Sequence, residues 1–144
     1  MNIIVRSFLK EFSENFGLTS KYTESDRFEF FSIYCAVYNE FRSTSFNIHD
    51  MLTGKATQGI DGIAILINNK LCTSVQEIED LININGFLDV SFIMIQSKTS
   101  DKFEGTDLGS FVDWVKYFFS AENDLFSSDN MKNFIDMKNY ILSI

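Results

Sequence analysis

The chain has 144 residues, of which 45% are hydrophobic and 15% aromatic, with 16 Phe; that is enough for one packed domain and incompatible with wholesale disorder. Twelve Lys and Arg against 20 Asp and Glu give a net charge of -8, the opposite of the basic footprint of a freestanding nucleic-acid binder, so a polyanionic partner requires a local basic patch, a metal ion or another chain. The single His, His49, leaves no room for a Ser-His-Asp triad, a two-histidine zinc helix or a His-rich site unless that one residue carries it.

In chain order, Ile4, Phe8, Phe12 and Phe16 recur every four residues from Asn2 to Phe16, and Gly17 follows as a stop, which predicts an amphipathic helix. Arg6, Lys10, Glu11 and Glu14 interrupt this segment, so it is not read as a signal peptide. Thr23 or Ser25 caps a second predicted helix, Asp26 to Phe41, whose apolar residues surround the whole circumference and predict burial on all sides. Ser43 to Gly59 reads as a loop with a short helical turn near Ile48 to Leu52. Ile60 to Asn68 is a β-branched strand ending in the Asn68-Asn69 turn signal, with a short return strand at Lys70 to Thr73. Ser74 and Glu77 form a capping box for a short helix to about Ile82. Val90 to Lys98 is apolar on both faces for most of its length, the pattern of a central strand. Thr106 caps a helix from Asp107 to about Ala121, and Asp129 opens a last helix to Ile144.

This order of elements predicts an α/β fold, a small mixed sheet flanked by helices, in one domain spanning 1–144. The last helix ends with its apolar stripe still running, which fits either a docked terminal helix or the N-terminal module of a longer protein with a C-terminal partner domain. No run approaches the ~20 apolar residues of a membrane span, so a soluble, cytoplasmic protein with no membrane partner is expected. Cys35 and Cys72 sit in apolar runs and support neither a disulfide framework nor a zinc knuckle.

Four polar residues stand where packing disfavours them. Glu29 interrupts an otherwise apolar helix and either needs a partner or a metal, or is an exposed first-turn acid that the helix dipole favours. Asp61 lies at a strand start between Gly59 and Gly62, either ending a loop or facing a site. Gln96 and Lys98, two apart at the end of the third strand, are expected on one face, with a lysine simply emerging into water as the alternative. If the two strands are neighbours, Asp61, Gln96 and Lys98 converge at one sheet edge and Glu29 reaches them from the helix beneath. Two carboxylates and an amide oxygen suit Mg2+ or Mn2+, and a lysine beside them suits metal-assisted phosphodiester hydrolysis. Without a sheet in the middle segment, Asp61 and Lys98 would instead be surface residues of a helical protein.

Phe28-Glu29 on a helix, Gly59-Ile60-Asp61-Gly62-Ile63 entering a strand and Ile95-Gln96-Ser97-Lys98 ending one resemble the PD-(D/E)XK nuclease superfamily in its Mrr-like variant. The closest likeness is to the N-terminal region of the AIPR (abortive infection phage resistance) proteins, over about Asp26 to Phe119. The resemblance implies a restriction-endonuclease-like core of αβββαβ type and Mg2+-dependent cleavage of DNA; the residues themselves do not separate DNA from RNA as the substrate. It also implies an active centre of Asp61, Gln96 and Lys98, with Glu29 helping to bind the metal, so that Asp61, Glu29 and Gln96 are the expected ligands. Gln96 replaces the usual acid, the loop Met51 to Gln58 is poor in glycine, and no sixth core strand follows Phe119. Two-strand cutting favours a homodimer. The alternative is a catalytically inactive nuclease fold used as a binding or assembly module.

Overall fold

The computed structural model describes residues 1–42, 46–54, 59–99, 104–121, 126 and 128–144; part of the predicted loop at 43–59 lies outside them. Helix α1 (Ile3–Asn15) begins at Asn2, whose side chain accepts a hydrogen bond from the Val5 amide. Helix α2 (Glu24–Phe41) opens with a capping box in which Thr23 and Asp26 exchange hydrogen bonds. A 3-10 turn at Ile48–Met51 leads to the sheet: β1 (Gly62–Ile67), β2 (Lys70–Cys72) and, after helix α3 (Val75–Asn85), β3 (Val90–Ile95). Helices α4 (Gly105–Phe119) and α5 (Asp129–Leu142) complete the order.

The sheet runs β2-β1-β3 and is antiparallel throughout, not mixed as the sequence pattern predicts. Asn68 and Asn69 both adopt positive φ, 52° and 65°, as a two-residue hairpin twisting with its strands demands. The Asn68 side chain then bridges to the segment before β3, accepting from the Asp89 amide at 2.7 Å and donating to the Phe87 carbonyl. β1 is therefore the middle strand, buried at every position. β3 is an edge strand among the described residues, a correction to the expected central strand. Its double-faced apolar pattern records cover by helices: Phe92 and Met94 pack into one hydrophobic cluster, and Ile93 and Ile95 into the other. Facial cover and ladder position leave the same sequence signature.

Those clusters form two layers around the sheet. Ile63, Ile65 and Ile67 pack with α3, α4 and α5, while Ala64 and Ile95 pack with α1, α2 and the 3-10 turn. From the end of α2 through β3 itself, the described residues carry the 3-10 turn, two strands, a helix and a strand, one strand fewer than the αβββαβ order implies; a single antiparallel bridge, Leu52 to Gly62, stands in that region.

Two helices depart from their predicted faces. In α1 the buried residues are Leu9, Phe12 and Ser13, whereas Ile4, Phe8 and Phe16 are exposed. In α2 only Phe30, Ile33 and Val37 are buried, and Cys35 and Tyr38 are exposed; among the described residues the helix packs chiefly on α1, the sheet and the 3-10 turn. Rings fill the joint: the buried Phe12 lies 5.4 Å from the partly exposed Phe31 and 5.3 Å from the partly exposed Tyr34 between centroids. Helix α3 runs past the predicted stop to Gly86, which closes it in the left-handed conformation with φ 73°. Helix α4 starts before Thr106, so that threonine lies within the first turn and is not the cap.

Candidate functional site

Asp61 precedes β1 by one residue and is fixed by the backbone on both sides. Its amide donates to the Ile95 carbonyl at 2.8 Å, and its carbonyl accepts from the Thr53 amide. The ladder ends there. Beyond it, Asp61 Oδ2 takes the place of a backbone acceptor for the Ser97 amide at 2.7 Å, with the Ser97 hydroxyl 3.4 Å away. Oδ1 has no hydrogen-bond partner among the described residues. Burial pushes the Asp61 carboxyl above the ordinary carboxylate range, and the Ser97 hydrogen bonds pull it partly back.

The glycines around Asp61 make room for two helices. A Cβ on Gly59, which has φ 78°, would lie 2.2 Å from the Trp114 indole of α4; one on Gly62 would lie 2.9 Å from the Ile33 side chain of α2. One glycine thus admits the layer on one face and the other admits the layer opposite, and Asp61 is held between them.

Past the last ladder pair, Gly62 with Ile95, a polar cleft of about 300 Å³ opens. Glu29 and Phe28 from α2, Asp61, and Ser97 and Lys98 from the end of β3 line it, with Ser25 at one side. Three of the four residues singled out in the sequence therefore meet. Lys98 Nζ is ion-paired with Asp107 Oδ2 from the first turn of α4, a partner that sequence reasoning treated only as a helix start. Its signal was available: an acid opening the helix that follows a strand-end lysine.

Gln96 is the exception. It lines a separate apolar groove with Ala36, Ile93, Met94, Leu108 and Phe111, and its Oε1 is buried without a hydrogen-bond partner. The expected shared face of Gln96 and Lys98 assumed a pleat continuing to Lys98, but β3 ends at Ile95, where the Asp61 carboxylate captures the Ser97 amide. Among the described residues no three His, Cys, Asp or Glu side chains gather as a metal-binding group. Among the described residues the carboxylates that line the cleft are Glu29 and Asp61, and the Ser97 hydrogen bonds to Asp61 both fall on Oδ2. That set suits Mg2+ or Mn2+, which bind through one or two carboxylates while keeping several waters, and does not suit a closed all-protein site.

Among the described residues no helix is long and apolar enough to cross a membrane. Comparisons with family models, with curated proteins and with solved structures returned no match.

Proposed function

We propose that the chain is a divalent-metal-dependent endonuclease that hydrolyses DNA phosphodiester bonds, of the PD-(D/E)XK type and acting in phage defence. The observation that carries this reading is the meeting of Glu29, Asp61 and Lys98, from a helix and two strand ends, at one polar cleft. Asp61 Oδ1 and the Glu29 carboxylate would hold the ion. Mg2+ or Mn2+ bound there would supply Lewis-acid polarisation of a phosphoryl oxygen and a more acidic water. Lys98, oriented by Asp107, places an ammonium where negative charge grows on the phosphate. Ser97 fixes the Asp61 carboxylate so that its second oxygen stays free for the ion. Gln96 is assigned no step, because its amide oxygen lies in another groove.

A second reading, an inactive nuclease fold serving as a binding or assembly module, draws on the Lys98 to Asp107 pair, which occupies the ammonium, and on the lack, among the described residues, of three His, Cys, Asp or Glu side chains gathered to hold a metal. Plasmid DNA incubated with Mg2+ or Mn2+ separates the two. The nuclease reading expects cutting by the wild type that drops by about 100-fold or more in Asp61→Ala and Lys98→Ala, the range for removing one preorganised charge-stabilising group. Equal cutting by all three proteins, or by none, favours the module.

A further inference from the structure

Strand β3 is paired on one side only among the described residues, and the hydrogen bond from the Asn68 amide to the Asp89 carbonyl sets the phase of its ladder with β1. Hydrogen-bonded pairs alternate from there. Ser91, Ile93 and Ile95 therefore turn their amides and carbonyls towards β1, whereas Val90, Phe92 and Met94 turn theirs outward. The Phe92 and Met94 amides have no partner among the described residues. A groove of about 290 Å³ runs along this edge, because residues from both faces of the sheet line it together: Ile93 and Ile95 with Ala36 of α2 from one layer, Met94 with Phe111 of α4 from the other. Gln96 also lines it, with its Oε1 buried and without a hydrogen-bond partner.

Edge strands are ordinarily blunted by a charge or a proline that turns a second strand away. From Val90 to Ser97 this one has no Asp, Glu, Lys, Arg, His or Pro. Beside it runs an apolar stripe of α4, in which Leu108, Val112 and Phe119 are 49%, 40% and 38% exposed. Leu108 lines the groove, and the Phe119 ring meets Phe92 at 5.0 Å between centroids, so stripe and strand edge form one continuous surface. We infer that this surface is a dimer interface in which β3 pairs antiparallel with β3 of a second copy, joining the two sheets into one. A second copy fits because a strand paired antiparallel with itself is two-fold symmetric: the outward amides and carbonyls of Phe92 and Met94 in each copy are matched by those of the other. Charge selects the same arrangement. Two chains of net charge -8 repel across most of their surfaces, but here the strand is uncharged, with Asp89 before it and Lys98 after it, so antiparallel pairing sets the acidic end of each strand at the basic end of the other. The second strand also brings amide donors to the groove that holds Gln96 Oε1. No catalytic role enters this inference, which stands apart from the nuclease reading.

The test compares the full chain with two variants whose folds are checked by circular dichroism. Val112→Glu puts a carboxylate into the exposed stripe of α4, and Met94→Pro removes one outward amide, which an edge strand tolerates because that N–H is outside the β1 ladder. Sedimentation equilibrium at about 100 µM, well above a micromolar dissociation constant, is expected to give twice 16.6 kDa for the wild type and 16.6 kDa for each variant. In NMR hydrogen exchange at the same concentration, the Phe92 and Met94 amides are expected to exchange at least about tenfold more slowly in the wild type than in Val112→Glu, because the second copy covers them. A monomeric wild type, assembly beyond a dimer, or a dimer that persists in either folded variant overturns the interface. Should Met94→Pro fail to fold, the exchange comparison decides: equal rates for these two amides in the wild type and Val112→Glu place the contact on another face and overturn the pairing of β3 with its copy.

Discussion

Asp61 is held in a half-buried setting that disfavours its charge, and the fold keeps it there through the Ser97 amide. Because burial raises its folded-state pKa above the ordinary 3.8, this group's contribution to stability is fully present below that value and is lost as pH rises through the folded pKa. Asp61→Asn retains an acceptor for Ser97 and removes the charge. Its melting temperature is therefore expected to exceed that of the wild type at pH 7, with the gap closing as pH falls towards 4; a gap that widens on acidification contradicts this placement. Thermal melts of both proteins across pH 4 to 8 decide it. Lys138 is the mirror case, 1% exposed in the stripe of α5, with its ammonium 3.4 Å from the Ser120 carbonyl and 5.7 Å from the Phe118 ring centroid. Burial holds its pKa below the ordinary 10.5, so the stability it withholds at neutral pH returns as pH rises past that value. Lys138→Met is expected to raise the melting temperature at pH 7, by about 3 °C for each kcal/mol gained, and the gain is expected to shrink near pH 11. In sequence Lys138 falls among Phe134, Ile135, Ile141 and Leu142, a pattern that does not distinguish a buried ammonium from one reaching water, because the same stem serves both.

At the scale of elements, the motif from Gly59 to Ile63 is a packing device as much as a chemical one. Gly62 admits Ile33 of α2 against the middle strand, and Gly59 admits Trp114 of α4, so the helix bearing Glu29 and the helix bearing Asp107 both approach Asp61 closely. Gly62→Ala is expected to lower stability by about 1 to 3 kcal/mol through overpacking, measured by urea unfolding with an unchanged m-value. A neutral result means that α2 can yield, and that Glu29 is not held in place by this contact. The strands and the hairpin were legible because β-branched residues alternate with turn residues at Asn68 and Asn69. The rank of β3 in the sheet was not, since ladder neighbours leave no mark on a strand covered on both faces. The exposed faces of α1 and α2 were also illegible: periodicity reports where apolar residues fall on a helix and says nothing about whether a neighbour exists to cover them.

At the scale of the molecule, two helical layers sandwich a three-stranded antiparallel sheet, and the cleft forms where the β1–β3 ladder stops. In the proposed nuclease, a cation held between Glu29 and Asp61 offsets the net charge of -8 where a phosphodiester approaches. Three of the four polar residues were legible because each broke a local packing rule, and rule-breaking residues on neighbouring elements tend to share a site. Gln96 misled because the pleat was assumed to continue past Ile95, and Asp107 went unnoticed because an acid in a first helical turn satisfies a local rule. The most direct measurement is the anomalous difference density of a crystal soaked in Mn2+. The account predicts one ion between Glu29 and Asp61, about 2.1 Å from an oxygen of each and absent from Asp61→Asn crystals. An ion bound elsewhere with this cleft empty, or density that persists in Asp61→Asn, contradicts it.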